Sequence, residues 1–141
     1  MTVHQISIFL ENKYGKLNEI LKLLADENIR IIAATIADTS EFGIMRMIVS
    51  DPQKAYTTLK NNNVSVNLTD VLAIVTGSSA GNFAETLSQF TKAGLSIEYM
   101  YCFSINGKAI LILRTNNREV AREVIRCQGL EYICESDLVK I

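Results

Sequence analysis

VHQISIFLENKYGKLNEILKLLADENIRIIAATIADTSEFGIMRMIVSDPQKAYTTLKNNNVSV, residues 3–66, lies without a gap over residues 69–132. At this offset of 66, Gly15 falls on Gly81, Glu19 on Glu85, Leu21 on Leu87, Ile31 on Ile97, Ile44 on Ile110 and Ala55 on Ala121. Few identities remain, but turn signals and apolar stretches coincide along the whole length. A long-period repeat marks one structural unit used twice. Within the quoted stretch, Val3 to Leu10 alternates and is rich in β-branched residues, which predicts a strand. Asn12 to Gly15 breaks it. Leu17, Ile20, Leu21 and Leu24 then form the stripe of an amphipathic helix. Ile29–Asp38 and Ile44–Val49 read as strands joined by a turn at 39–43. Asp51 followed by Pro52 is a helix start, an N-cap residue before a proline at the first helical position. That helix ends in Asn61–Asn63, and Val64–Leu68 is a short fourth strand.

The second copy follows the same order. Val71–Val75 reads as a strand, Phe83, Leu87 and Phe90 as a helical stripe, and Leu95–Ile105 as a strand. Asn106-Gly107 is a hairpin turn signal that returns the chain along Ala109–Arg114. Asn117 caps a helix carrying Val120, Ala121, Val124 and Ile125, and Leu130–Cys134 closes the copy as a strand. Each copy is thus β-α-β-β-α-β. This predicts an α+β fold of two ferredoxin-like units, each an antiparallel sheet with both helices on one face. The expected division is 1–67, 68–135 and a remainder, 136–141, that forms an extra edge strand or a tail. Units this small bury a limited core, so they are expected to pack on each other or on a second chain. Ile32, Ala34, Ile36, Met100 and Cys102 are expected on the bare sheet faces, to within one register step.

Composition excludes several classes. Hydrophobic residues make up 48% of the chain, charged residues 21%, and the net charge is −1. No basic surplus points to nucleic acid, no apolar run approaches a membrane span, and the start MTVHQISIF lacks a basic n-region. Cys102, Cys127 and Cys134 have no zinc-type spacing and read as free thiols of a reducing cytoplasm. No Asp/Glu/His grouping has metal-ligand spacing, and no cofactor is expected.

One catalytic pattern is present. Gly77-Ser78-Ser79-Ala80-Gly81 matches G-x-S-x-G between a strand and a helix, the setting of a nucleophile elbow. That chemistry needs a histidine after the serine, whereas the sole histidine, His4, lies upstream in the other copy. The expected sheet is also of the wrong kind, so the hydrolase reading is rejected and no enzyme is expected. The loop is not a phosphate loop either, since Asn82 stands where a lysine is needed. Its small residues read either as free amides at a helix start, a place that attracts a carboxylate, or as a tight strand-to-helix turn with no ligand. Tyr99, Tyr101 and Phe103 share one strand face, which reads as packing rather than base stacking.

Asn12-Lys13-Tyr14-Gly15-Lys16-Leu17 resembles the D-x-P-G-x-L loop of ACT domains. Leu24–Ile31 resembles that family's helix end and second strand, and Asp38–Gly43 its turn into strand three. Through the repeat, the resemblance covers nearly the whole chain. It implies a stand-alone tandem ACT protein that binds a small molecule, usually an amino acid, where two ACT units meet. Carried over residue by residue, the implied contacts are Asn12, Lys13, Tyr14, Gly15, Arg30 and Ile31 in the first copy. In the second they are Ser78, Ser79, Ala80, Gly81, Ser96 and Ile97. The family's proline is Tyr14 in one loop and Ala80 in the other. The resulting expectation is a cytoplasmic, homodimeric regulatory protein whose ligand modulates a partner enzyme. The alternative is a structural module that assembles with a partner and takes no small ligand.

Overall fold

The structure, a computed structural model, describes residues 1–11, 15–38 and 41–141, and of Asp38 only the main chain. Contacts divide the chain into two units. The first comprises His4–Thr69 with Ser136–Ile141, and the second Asp70–Glu135 with Met1–Val3.

In the first unit, β1 (Val3–Glu11) is followed by α1 (Lys16–Asp26), β2 (Ile31–Asp38), β3 (Phe42–Val49), α2 (Pro52–Asn61) and the start of β4 (Val66–Gly77). The strand order is β2-β3-β1-β4, and β1 and β2 both pair antiparallel with β3. Ile6 pairs with Met47 and Ile8 with Met45. Directly paired residues share a face, and these four pack with Ile20 and Leu24 of α1 and Ala55 and Leu59 of α2. That is the apolar stripe read in the sequence, laid on one side of the sheet. The second unit repeats the plan with the rest of β4, α3 (Ala80–Lys92), β5 (Ile97–Ile105), β6 (Lys108–Thr115) and α4 (Arg118–Cys127). Its order is β4-β6-β5, all antiparallel. Leu72, Ile74, Leu111 and Leu113 face Phe90, Ala121 and Ile125 from the helices.

The repeat extends to backbone detail. Register shifts occur between Ile31 and Ala33 and again between Ile97 and Tyr99, the same step 66 residues on. Asp51 caps α2 by accepting from Lys54 N–H, and Asn117 caps α4 by accepting from Val120 N–H. Positive φ recurs at Asn28 and Gly94, then at Asn63 and Gly129. Each lies just past a helix end, where only glycine or asparagine is tolerated at low cost.

Three expectations are corrected. The fourth strand of the first copy and the first strand of the second are one strand, β4, because Asn67-Leu68-Thr69-Asp70 carries no glycine or proline to break it. The closing strand at Leu130–Cys134 shrinks to a bridge between Ile74 and Tyr132. It is held by Val75 N–H to Glu131 O (2.9 Å) and Ile133 N–H to Ala73 O (3.0 Å). Residues 136–141 form no extra edge strand. Their first residues lie in a one-turn helix, α5 (Glu135–Leu138), with Leu138 fully buried.

The bulge also reassigns faces. Ala34 and Ile36 pair with Met47 and Met45, and Met100 and Cys102 with Leu113 and Leu111, so all four lie on the helix side at the exposed sheet edges. The opposite face carries Phe9, Ile44 and Phe42 in the first unit, with the two phenyl rings 5.2 Å apart. In the second unit it carries Tyr101 and Phe103, paired with Ile112 and Ile110.

Candidate functional site

The implied contacts fall at two places in each copy: the turn from first strand to first helix, and the start of the second strand. In the first copy, Asn12, Lys13 and Tyr14 lie outside the described residues. Gly15 is the N-cap of α1 at φ 80°, and its carbonyl accepts from Glu19 N–H (3.1 Å). A glycine offers no side chain to the amides of the first turn, so this helix start has no cap hydrogen bond from that position. A Cβ added at Gly15 meets no described atom within 4 Å. Glycine is needed here for its backbone angle.

The second loop is closed on itself. Ser79 Oγ accepts from Asn82 N–H (3.1 Å) and donates to Asn82 Oδ1 (2.6 Å). The Asn82 side chain lies against Gly77, where an added Cβ would stand 2.4 Å from Oδ1. Ser79 is therefore a helix cap whose hydroxyl proton is already spent, which accounts for the G-x-S-x-G pattern without a nucleophile. Ser78, Ala80 and Gly81 are exposed around it.

The second-strand starts are built alike. Arg30 N–H donates to Ser50 Oγ (2.9 Å), and Ser96 N–H to Asn116 Oδ1 (3.0 Å). Ile31 is 43% exposed, whereas Ile97 is half-buried against the second core. The register separates these starts from the loops. Glu11, which leads into the first loop, pairs with Phe42, but Ile31 pairs with Val49 at the far end of β3. Seven residue steps along a strand span roughly 23 Å. Within one unit, then, the structure does not bring Gly15 together with Arg30 and Ile31.

Arg30 is also engaged. Its guanidinium donates to the main-chain oxygens of Ile141 (2.6 Å) and Val139 (3.1 Å). Of the implied contacts, this guanidinium is thus occupied by residues 139 and 141. Two surface hollows lie elsewhere, between the helices of each unit. One of about 400 Å³ is lined by Lys16, Glu19, Leu23, Asp26 and Asn62, and one of about 330 Å³ by Gln89, Lys92, Glu123, Cys127 and Gln128. None of the described contact residues lines either. Among the described residues there is no group of three His, Cys, Asp or Glu able to hold a metal.

Two βαββαβ units in one chain, sharing bulges, caps and left-handed positions, coincide with one known family over residues 1–141. The chain belongs to the ACT domain pair family. Protein BT0572 from Bacteroides thetaiotaomicron is 43% identical over 100% of this chain and 98% of its own, with a TM-score of 0.95. The ligand-free regulatory subunit of aspartate kinase from Thermus thermophilus is 18% identical, with a TM-score of 0.65 over 90% of this chain and 91% of its own. The regulatory subunit from Thermus flavus is 16% identical, with a TM-score of 0.59 over 89% and 92%. At such identities these two likenesses concern the fold. No curated protein matches the chain.

Two features of this ACT pair escaped the sequence reading. Ser50 and Asn116 fix the main chain at the second-strand starts, and their alignment at the repeat offset was a usable sign. Val139 and Ile141 are the partners of Arg30, and no local pattern announces that contact.

Proposed function

We propose that this ACT pair is a regulatory module that binds a small ligand, an amino acid by class, where ACT units of two copies meet, and that occupancy modulates a partner enzyme. The observation that carries the reading is the start of α1 at Gly15, which has no side-chain cap hydrogen bond among the described residues, set beside the equivalent α3 start that Ser79 already caps. Helix-start amides and the positive end of a helix dipole suit a carboxylate. In this reading the first loop supplies one half-site, Asn12 to Gly15, and the strand start with Arg30 and Ile31 the other, from a different unit. The second-copy positions Ser78, Ser79, Ala80, Gly81, Ser96 and Ile97 form a weaker site, since their loop satisfies its own donors. Among the described residues no helix is long and apolar enough to cross a membrane. A cytoplasmic location is part of the proposal.

A thermal-shift screen of the twenty amino acids tests this. A ligand at about 100 times its Kd adds about 2.7 kcal/mol to stability, which moves the melting midpoint by several degrees. Asn12→Ala should reduce that shift more than Ser78→Ala does. A melt indifferent to all twenty would leave the alternative, an assembly module. One observation already supports that alternative: the face opposite the helices exposes Phe9, Phe42 and Ile44 in the first unit.

A further inference from the structure

The tail and the proposed ligand want the same group. Residues 136–141 follow the whole second copy in sequence, yet they belong to the first unit. Leu138 is fully buried there, Lys140 and Ile141 N–H groups bond back to Asp137 and Leu138, and Arg30 holds the oxygens of Val139 and Ile141. An arginine fork closed on two oxygens is the geometry that recognises a carboxylate. We infer that residues 136–141 are a strap that closes the Arg30 end of the first unit and that a small carboxylate ligand and the strap exclude each other there. This rests on the reading above that the second-strand start contributes to a ligand site.

The parts fit a switch rather than a fixed brace. Arg30 is exposed, and hydrogen bonds at an exposed guanidinium add little stability, so a ligand can displace them. Leu138 sets the strap's resting position, and the strap opens when both the fork and this side chain let go. The second copy has Ser96 at the equivalent position, too short to reach an oxygen in this way, so the device is confined to one unit. By linkage, a ligand that binds only the open form loosens the strap as much as the strap weakens the ligand. Occupancy at Arg30 would thereby release residues 136–141 from the first unit, a signal that a partner can read.

The test compares the full chain, a chain ending at Glu135 and Leu138→Asp, with folding checked by circular dichroism. Each is titrated calorimetrically with each of the twenty L-amino acids. A strap closed about nine-tenths of the time lowers apparent affinity about tenfold. Both altered chains should therefore bind at least one amino acid about tenfold more tightly than the full chain, and adding Arg30→Gln should abolish the gain. Equal affinity in all three would overturn the strap and leave the sensor reading standing. No binding in any of them would overturn both. Hydrogen exchange reads the latch without a ligand: in full-length Arg30→Gln the amides of Lys140 and Ile141 should exchange several-fold faster. Unchanged protection would overturn the latch whatever the titrations give.

Discussion

Gly15 holds φ 80° at the start of α1, whereas Gly81 is an ordinary helical residue of α3 where an added Cβ would meet Ser79 Oγ at an ordinary contact distance of 3.8 Å. The same aligned glycine should therefore respond in opposite ways. Gly15→Ala forces a side chain into the left-handed region and should cost about 1–2 kcal/mol. Gly81→Ala removes backbone freedom from the unfolded chain and should add about 0.5–1 kcal/mol. Urea melts of the two variants decide it, and equal losses would mean that Gly81 has a role its geometry does not explain. This also limits what a bulky residue at Gly15 can report about a ligand, because it strains the turn first. Ser79 makes a second case. With its hydroxyl donating to Asn82 and accepting from Asn82 N–H, it should not react with a fluorophosphonate probe at a hydrolase-like rate, as intact-mass analysis can establish. Of the site, sequence could expose the repeated glycines and the serine pattern. It could not expose the Arg30 contact with Val139 and Ile141, which joins positions more than a hundred residues apart.

Helix caps are where sequence and structure agree most closely at the scale of elements. Asp51 with Pro52, and Asn117, set helix starts through local chemistry that needs no tertiary partner. Asp51→Ala and Asn117→Ala should each cost about 1 kcal/mol. Because they sit in different units and share no partner, the double variant should lose the sum to within a few tenths, measured by chemical denaturation. A much larger combined loss would reveal coupling between the two starts. The Asn106-Gly107 hairpin was equally legible, and both residues take the positive φ that such a turn requires. The bulges at Ile32 and Glu98 were not, and a single extra residue reverses which face every later side chain takes. Nor was α5 legible. Ser136–Ile141 is too short for periodicity to separate strand from helix, and burial of Leu138 decides the matter.

For the whole molecule, exposed Phe9, Phe42 and Ile44 on one sheet face, together with the proposed ligand site between copies, predict a paired state. Light scattering at micromolar concentration should give twice the 15.7 kDa chain mass, and a single-chain mass would remove that expectation. Charge should matter little to stability. The ion pairs Lys54–Glu27, Lys108–Glu131 and Arg114–Glu98 are all substantially exposed and contribute at most about 1 kcal/mol each.

The crossed membership of the chain's two ends has a consequence for how the protein is made. A ribosome delivers the whole second copy before it delivers Leu138, the residue that fills a buried position in the first unit. The first unit therefore emerges early but waits, one plug short, while its twin is being translated. The reverse holds for Met1–Val3, which are made before the rest of their own unit, residues 70–135. Cutting the gene at the repeat boundary would not yield two self-sufficient halves. It would sever β4 and leave each unit's borrowed segment on the other fragment.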